Sequence, residues 1–545
     1  MLGARIVSMT SHSYQMVETT TCPSHLVKRV VHEMQPKAGV QILAEELLFY
    51  IMSFLSCRDI LRCASVCKAF RQTYMYSSEL RYIVEFSGQG LLPVPNTHNH
   101  SPIFRRLQLL RDKAHAWFNV DFHSFETVTV ESYSEQRYVT DGHLYLWDQE
   151  EDLATIVPIL PKPSQQTIQR NWSPGTLCSV PNSTNLDVFM DPAQNLKAVV
   201  YKVDHESDET LYIDLEALDR DSAHPHAAGR TLYLSGPPGY DDNRVQTTSA
   251  KLRGFGRHIA LQRSVEVAVG HGAGIYHENM WQLQIWDWQH STTSNSVLGV
   301  TTVHGIGFCF LGNNRILVVA NNNLKLYSIE DISQTPRLLA SFLSPLPLSY
   351  IQCLLPMDDT EHHSLSHTQQ TVYTSDAKHR LICLIASFPT RVFIISTRVF
   401  FDVDETAAAT PIPWNHWGPS NARIFEHHYS CKVHVCGNRV LQAFPVGTSD
   451  SNSNEYVLHI MDFSPLAVTN RRGLGRVVKE ASTINVTGKF MESLTISTSL
   501  PYVEVVSDRK FSFDKLKAMW IDKDRIYLLN TDWMRTLTTL EVIDV

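Results

Sequence analysis

Long hydrophobic runs are missing from this chain of 545 residues. The most membrane-like stretch, residues 381–401, is broken by Pro389, Arg391 and Arg398 before it could cross a hydrocarbon layer of about 30 Å, and it reads as two buried strands. No apolar segment of signal-peptide length occurs between Met1 and Val40. A basic surplus is missing as well. The 47 Lys and Arg residues stand against 55 Asp and Glu, and the formal net charge of -8 speaks against a general nucleic-acid or anionic-membrane binder. The ten cysteines follow no disulfide framework, which fits reduced thiols. The expected location is therefore cytoplasmic, nuclear or both, with no membrane and no nucleic acid among the partners.

Arrangements that carry catalysis are equally scarce. No G-x-S-x-G elbow occurs, and the glycines of Arg472-Gly473-Leu474-Gly475-Arg476 lack both a strand-to-helix setting and a following Lys-Ser/Thr, so they are no phosphate loop. The densest group of metal-ligand residues is His427-His428-Tyr429-Ser430-Cys431-Lys432-Val433-His434-Val435-Cys436. On a strand, His434 and Cys436 share one face and Cys431 takes the other, fewer ligands together than a closed zinc site needs. Cys57, Cys63 and Cys67 are spaced for helix faces, not for paired metal-binding knuckles. The expectation is a non-enzyme with no catalytic residues, no metal and no cofactor.

What is present begins with amphipathic helices. From Glu45 to Leu55 the apolar residues 47, 48, 51, 54 and 55 fall on one face of a 3.6-residue period. Glu45 and Glu46 in the first turn complement the positive end of the helix dipole. Ser56 and Asp59 then form a loose capping box for a second helix bearing Ile60, Leu61, Cys63 and Ala64, and a third begins near Val66 and includes Phe70. Three such short helices bury too little apolar surface to stand alone.

This segment resembles an F-box, the motif that docks substrate receptors onto the adaptor Skp1 in cullin-RING ubiquitin ligases. The residues at the family's spacing are Leu43, Leu47, Leu48, Ile51, Leu55, Asp59, Leu61, Val66, Cys67 and Phe70. The resemblance implies that these ten bind Skp1 and, through it, cullin and RING subunits. One position departs from the family: Ala44 stands where proline is usual, and proline would pre-set φ at the start of the helix.

The chain then divides into a flexible tail (1–38), the F-box-like helices (39–80), a helical linker (81–121) and a large β-rich body (122–545). A helix over 78–86 leads into the linker, followed by a Pro/Asn/His loop over 91–102 and a helix in which Ile103, Leu107, Leu110, Ala114 and Trp117 alternate steps of four and three. F-box, Gly-Leu-Leu-Pro loop and Leu/Arg-rich helix together are similar to a group of fungal F-box proteins.

In the body one strand type recurs, with starts at 144, 211, 283, 324, 392, 457 and 537, as in Leu-Tyr-Leu-Trp-Asp and Leu-Gln-Ile-Trp-Asp. Repetition without intervening helices predicts a propeller. The fold class expected is α+β multidomain: helical F-box and linker, then an all-β domain built as a divergent, WD40-like, seven-bladed β-propeller. Stacked sandwiches are the alternative. The unit 302–330 reads as strands separated by Gly312-Asn313-Asn314 and Asn321-Asn322-Asn323 turns. Ring closure is expected where the chain end near Leu540–Val545 meets a strand near Val128.

The resemblance implies a substrate-recognition subunit, with an unidentified client protein held by the β domain. A scaffold that works with Skp1 outside a ligase is the alternative. Two tryptophans among prolines, Trp414 and Trp417, are the candidate client-binding residues, since aromatic anchors dominate binding hot spots. Packing within or between blades is the competing reading for them and for Trp281, Trp286 and Trp288.

Overall fold

A computed structural model of the chain describes residues 43–545 except 94–100, 131–135, 162–166, 179, 205–208, 237–244, 272–273, 302–305, 349–351, 355–372, 388–389, 427–431, 447–454, 470–474, 489–490, 513 and 532–537. The expected tail at 1–38 lies outside the described residues.

Five helices come first: α1 (Glu45–Ser53), α2 (Cys57–Val66), α3 (Lys68–Tyr76), α4 (Ser78–Gly88) and α5 (Ile103–Ala116). They follow the amphipathic periods of the sequence closely. Two short helices, α6 (Trp414–Asn421) and α7 (Pro465–Thr469), lie within the body. Leu91–Pro93, expected as part of a loop, is instead a strand paired antiparallel with Tyr373–Ser375. Its partner is remote in sequence, so nothing local announces it.

The body is a ring of seven antiparallel sheets. The first holds Gln136–Thr140, His143–Asp148, Leu153–Pro158 and Arg170–Trp172, and the second Ser183–Asp191, Leu196–Asp204, Glu209–Ala217 and Thr231–Tyr233. The third holds Val245–Phe255, His258–His271, Gly274–Asp287 and Val297–Thr301. The fourth has three members, Gly307–Phe310, Arg315–Ser328 and Arg337–Leu348, and the fifth runs from Gln352–Leu354 through Leu381–Ser387 and Thr390–Ser396 to Ala422–Glu426. The sixth comprises Val433–Cys436, Arg439–Pro445, Glu455–Asp462 and Tyr502–Ser512, with Arg476–Val478 added at its edge. The seventh is Leu516–Ile521, Arg525–Thr531 and Thr538–Asp544, completed by Glu126–Val130 from the other end of the chain. Val128 pairs with Leu540, so the ring closes as the sequence suggested.

Burial confirms a closed ring. Among the described residues, each pair of neighbouring blades encloses its own apolar cluster, for example Tyr145, Trp147, Val188 and Val199 between the first and second. The cluster of Leu144, Leu146, Leu529 and Leu540 joins the seventh blade to the first. Strands buried on both faces carry apolar residues at nearly every position, as in Leu381-Ile382-Cys383-Leu384, and this is why 381–396 looked membrane-like without being so.

Two details differ from expectation. Five of the repeated strand copies fall on the strand before the blade's outermost one; 457–462 is the third strand of the five in its blade, and 144–148 is the second strand of its blade, one position early. The motif marks strands buried between blades, and more than one strand per blade meets that condition. In the fourth blade, Arg315–Ser328 is one extended run and not two strands parted by an Asn turn. Its register shifts between Asn321 and Asn323, and the inward face switches there from Leu317 and Val319 to Leu324 and Leu326. A hairpin, Ser482–Gly488 with Met491–Thr498, is inserted into the sixth blade, and Val486 and Ile496 pack into the cluster between the fourth and fifth.

Candidate functional site: an exposed apolar helical face

Helices α1 to α4 share a small core of Met52, Ile60, Leu80 and Val84, flanked by Phe49, Leu55, Cys57, Cys63, Phe70, Tyr74 and Ile83. Local chemistry sets the helix starts. Ser56 caps α2: its Oγ accepts from the Asp59 amide at 3.3 Å and donates to Asp59 Oδ2 at 2.8 Å. Asp59 also pairs with Arg62 at 3.1 Å, and the hydrogen bonds from Ser56 and Arg62 hold its carboxyl below the usual carboxylate range. Helix α1 has no such cap: Ala44 precedes it with φ −58° and no side-chain bond.

The ten docking candidates divide by burial. Leu48 is inside, and Leu55, Asp59, Cys67 and Phe70 are half-buried, with Leu55 and Phe70 leaning on the core. Leu43, Leu47, Ile51, Leu61 and Val66 are exposed. Leu47 and Ile51 stand four residues apart on α1, Leu43 is exposed just before its start, and Phe54 at its C-cap extends the row with 72% of its surface bare. Tyr50 stacks edge-on against Phe54 with ring centroids 4.8 Å apart. Tyr50 and Phe54 belong to this face, although sequence matching did not select them; their spacing of four, beside Leu47 and Ile51, was the available signal. A row of bare Leu, Ile and Phe on one helix is a surface awaiting a partner. The thiol of Cys57 lies partly within the core, and burial pushes its pKa up, so it behaves as a packing group.

The linker fixes this face to the propeller. Gly90 turns the chain at φ +68°, where a Cβ would lie 2.8 Å from Asn438 Nδ2 and 2.9 Å from His379 Cβ. The Gly90 carbonyl accepts from the Asp376 amide at 2.8 Å, and Asn438 Nδ2 donates to the Gln89 carbonyl at 3.0 Å. Lys113 Nζ sits 2.5 Å from Asp524 Oδ1, and Phe86 meets Tyr373 edge-on. Buried Glu85 pairs with Arg111 at 2.9 Å and ties α4 to α5. Beyond α5, Trp117 and Phe122 enter the cluster between the sixth and seventh blades. The guanidinium of Arg439 lies 4.9 Å from the Trp117 ring centroid and pairs with Asp462.

The tryptophan-rich loop is ordered differently from expectation. Trp414–Asn421 is a helix beginning just after Pro413. Trp417 is 3% exposed, packs on Phe342 and Phe400, and donates its indole N–H to the Leu343 carbonyl at 3.0 Å. Trp414 is half-buried against it. Trp281, Trp286 and Trp288 are buried between blades. His434 is half-buried; it accepts from the Ile521 amide, and desolvation pulls its pKa to about 4. His427, His428 and Cys431 lie outside the described residues. Among the described residues no group of three or more metal-ligand side chains converges, and no helix is long and apolar enough to cross a membrane.

No curated protein matches the sequence. Similar solved structures include the WD40 domain of SCAP from fission yeast (7% identity, 77% of this chain and 94% of that one, TM-score 0.31). Sqt1 of Saccharomyces cerevisiae is also similar (8% identity, 76% and 98%, TM-score 0.29), as is prolyl oligopeptidase B of Galerina marginata (9% identity, 78% and 57%, TM-score 0.31). At such scores the propeller rests on the strand pairing described above. The helical segment is matched directly: residues 45–74 fit the family model described as F-box-like. The chain thus joins a helical segment that fits the F-box-like model to a seven-bladed β-propeller.

Proposed function

We propose that this protein is the substrate-recognition subunit of a Skp1–cullin–F-box ubiquitin ligase. The exposed row Leu43, Leu47, Ile51 and Phe54, continued on α2 by Leu61 and Val66, carries the reading. These side chains lack cover in the chain itself, and Skp1 supplies it. Cullin and RING subunits follow through Skp1. The propeller holds a client protein, and of the two candidate tryptophans Trp414 keeps the more ring surface for it. Such a subunit needs no catalytic residue of its own. It acts by proximity, raising the effective concentration of client lysines near a charged conjugating enzyme. The setting is the cytoplasm or the nucleus.

The test is affinity capture of the full chain with Skp1 and cullin, comparing the unmodified protein with L47D/I51D. Both side chains are about half exposed, so the double variant should fold yet lose Skp1 and cullin together. Undiminished capture by the folded variant would falsify the docking assignment.

A further inference from the structure

The hairpin of Ser482–Gly488 and Met491–Thr498 interrupts the sixth blade, yet among the described residues its strands pair only with each other. A lone two-stranded hairpin is marginal in water at best, so contacts outside it hold it in place. Its two faces differ as the pleat dictates. Thr483, Asn485, Thr495 and Ser497 are exposed on one. On the other, Val486 and Ile496 are buried and Ile484 leans on the same apolar cluster, which includes Trp417 of α6 and Ile424. Helix α6 and strand Ala422–Glu426 are the hairpin's neighbours there.

The neck of the hairpin is fastened by other means. Arg423 is 2% exposed; its Nη1 donates to the Glu480 and Thr498 carbonyls and its Nη2 to Glu480 again, each at 2.9 Å. Glu480 lies two residues before the first strand and Thr498 ends the second, so one guanidinium grips both legs. The Tyr502 ring backs it, 5.2 Å from guanidinium carbon to ring centroid. Past this neck the side-chain bonding turns inward: Thr495 Oγ1 donates to Asn485 Oδ1 at 2.9 Å, within the hairpin. A rigid planar fork at the neck and a few apolar plugs beyond it make a hinge and a cover.

We propose that the hairpin is a flap, closed in this structure, which lifts as one unit about the Arg423 neck while the blades stay intact. Lifting withdraws Val486 and Ile496 and uncovers part of the cluster that holds Trp417. A client gripped through Trp414 and Trp417 would then meet them only with the flap raised; this last step alone rests on the proposed function.

The experiment is amide hydrogen exchange on the full chain, with peptide-resolved thiol labelling of I496C as a readout independent of the backbone. In the unmodified chain both hairpin strands should exchange about 100-fold faster than Ala422–Glu426 and Tyr502–Ser512. R423M keeps the stem and loses the donors, and should quicken flap exchange and I496C labelling about tenfold further, with those two strands changed by less than about twofold. I496A leaves the neck intact and should quicken flap exchange about thirtyfold or more, which keeps the test alive if R423M fails to fold. Hairpin strands as protected as Ala422–Glu426 overturn the flap. Exchange indifferent to R423M, or quickened equally in the hairpin and the blades, overturns the hinge and the proposal with it. Neither Skp1 nor a client enters the measurement, so its failure leaves the ligase reading standing.

Discussion

Trp117 should hold the seam between the sixth and seventh blades, and replacing it with alanine tests that claim. The ring is 1% exposed and lies among Leu441, Leu458 and Ile460 of one blade and Leu516, Ile521 and Leu528 of the next. A tryptophan of this kind buries roughly 150–250 Å2, which at about 25 cal/mol/Å2 is a transfer term of about 4–6 kcal/mol. That is an upper bound, because an unfolded chain already covers part of the surface. Loss of the Arg439 stacking contact adds about 1 kcal/mol, and large-to-small core changes at aromatic sites cost about 3–5 kcal/mol in total. We therefore expect W117A to weaken the seam by about 3–5 kcal/mol. Its Nε1–H has no hydrogen-bond partner among the described residues, so W117F should lose much less. A chain of this size need not unfold in two states, so a single melting temperature is the wrong readout. Amide hydrogen exchange is the better one. Strands Arg439–Pro445 and Arg525–Thr531 should exchange about 100-fold faster or more, while Leu196–Asp204 across the ring keeps its protection. Unchanged exchange at the seam, or equal acceleration in every blade, would refute the wedge.

Two further outcomes follow from particular side chains. His258 is buried, neither ring nitrogen has a hydrogen-bond partner among the described residues, and burial lowers its pKa to about 4. A histidine depressed in the folded state leaves the unfolded chain binding more protons between about pH 6.5 and 4. Stability should then fall as pH drops through that window, by up to about 3 kcal/mol for this residue. Asp187, raised to about 6 by burial, opposes the trend below pH 6, so H258F or H258L should flatten the acid limb of a chemical-denaturation series; an unaltered limb would reject the assignment. Ala44 already has φ −58°, compatible with proline, so A44P should stabilise the start of α1 by about 0.4–1 kcal/mol and tighten Skp1 binding up to several-fold. Titration calorimetry showing weaker binding would count against it.

The helical part of the molecule was legible in the sequence because helix period, caps and core coincide within a few turns. Ser56 caps where its spacing to Asp59 said it would. The same period could not separate Leu47 from Leu48: both sit on the apolar arc, yet one faces solvent and the other the core. Which half of an arc looks outward depends on helices α3 and α4, whose packing no single helix encodes. The propeller showed itself through repetition, and its closure was expected because pairing a strand near Val128 with one near Leu540–Val545 hides the open edges. Its finer features were hidden for a different reason. The pairing of Leu91–Pro93 with Tyr373–Ser375 and the burial of Trp417 beneath Phe342 and Phe400 are contacts between distant parts of the chain. Proline-flanked tryptophans look alike whether they are covered or bare.

The closure of the ring also imposes an order in time. Val128 emerges from the ribosome long before its partner Leu540, and at 5–20 residues per second the interval is between about 20 and 80 s. The F-box-like helices precede even Val128. A nascent chain thus displays its exposed apolar helical row while the seventh blade still lacks the three strands of 516–544; under the proposed function, that row is open to an adaptor before the ring has closed.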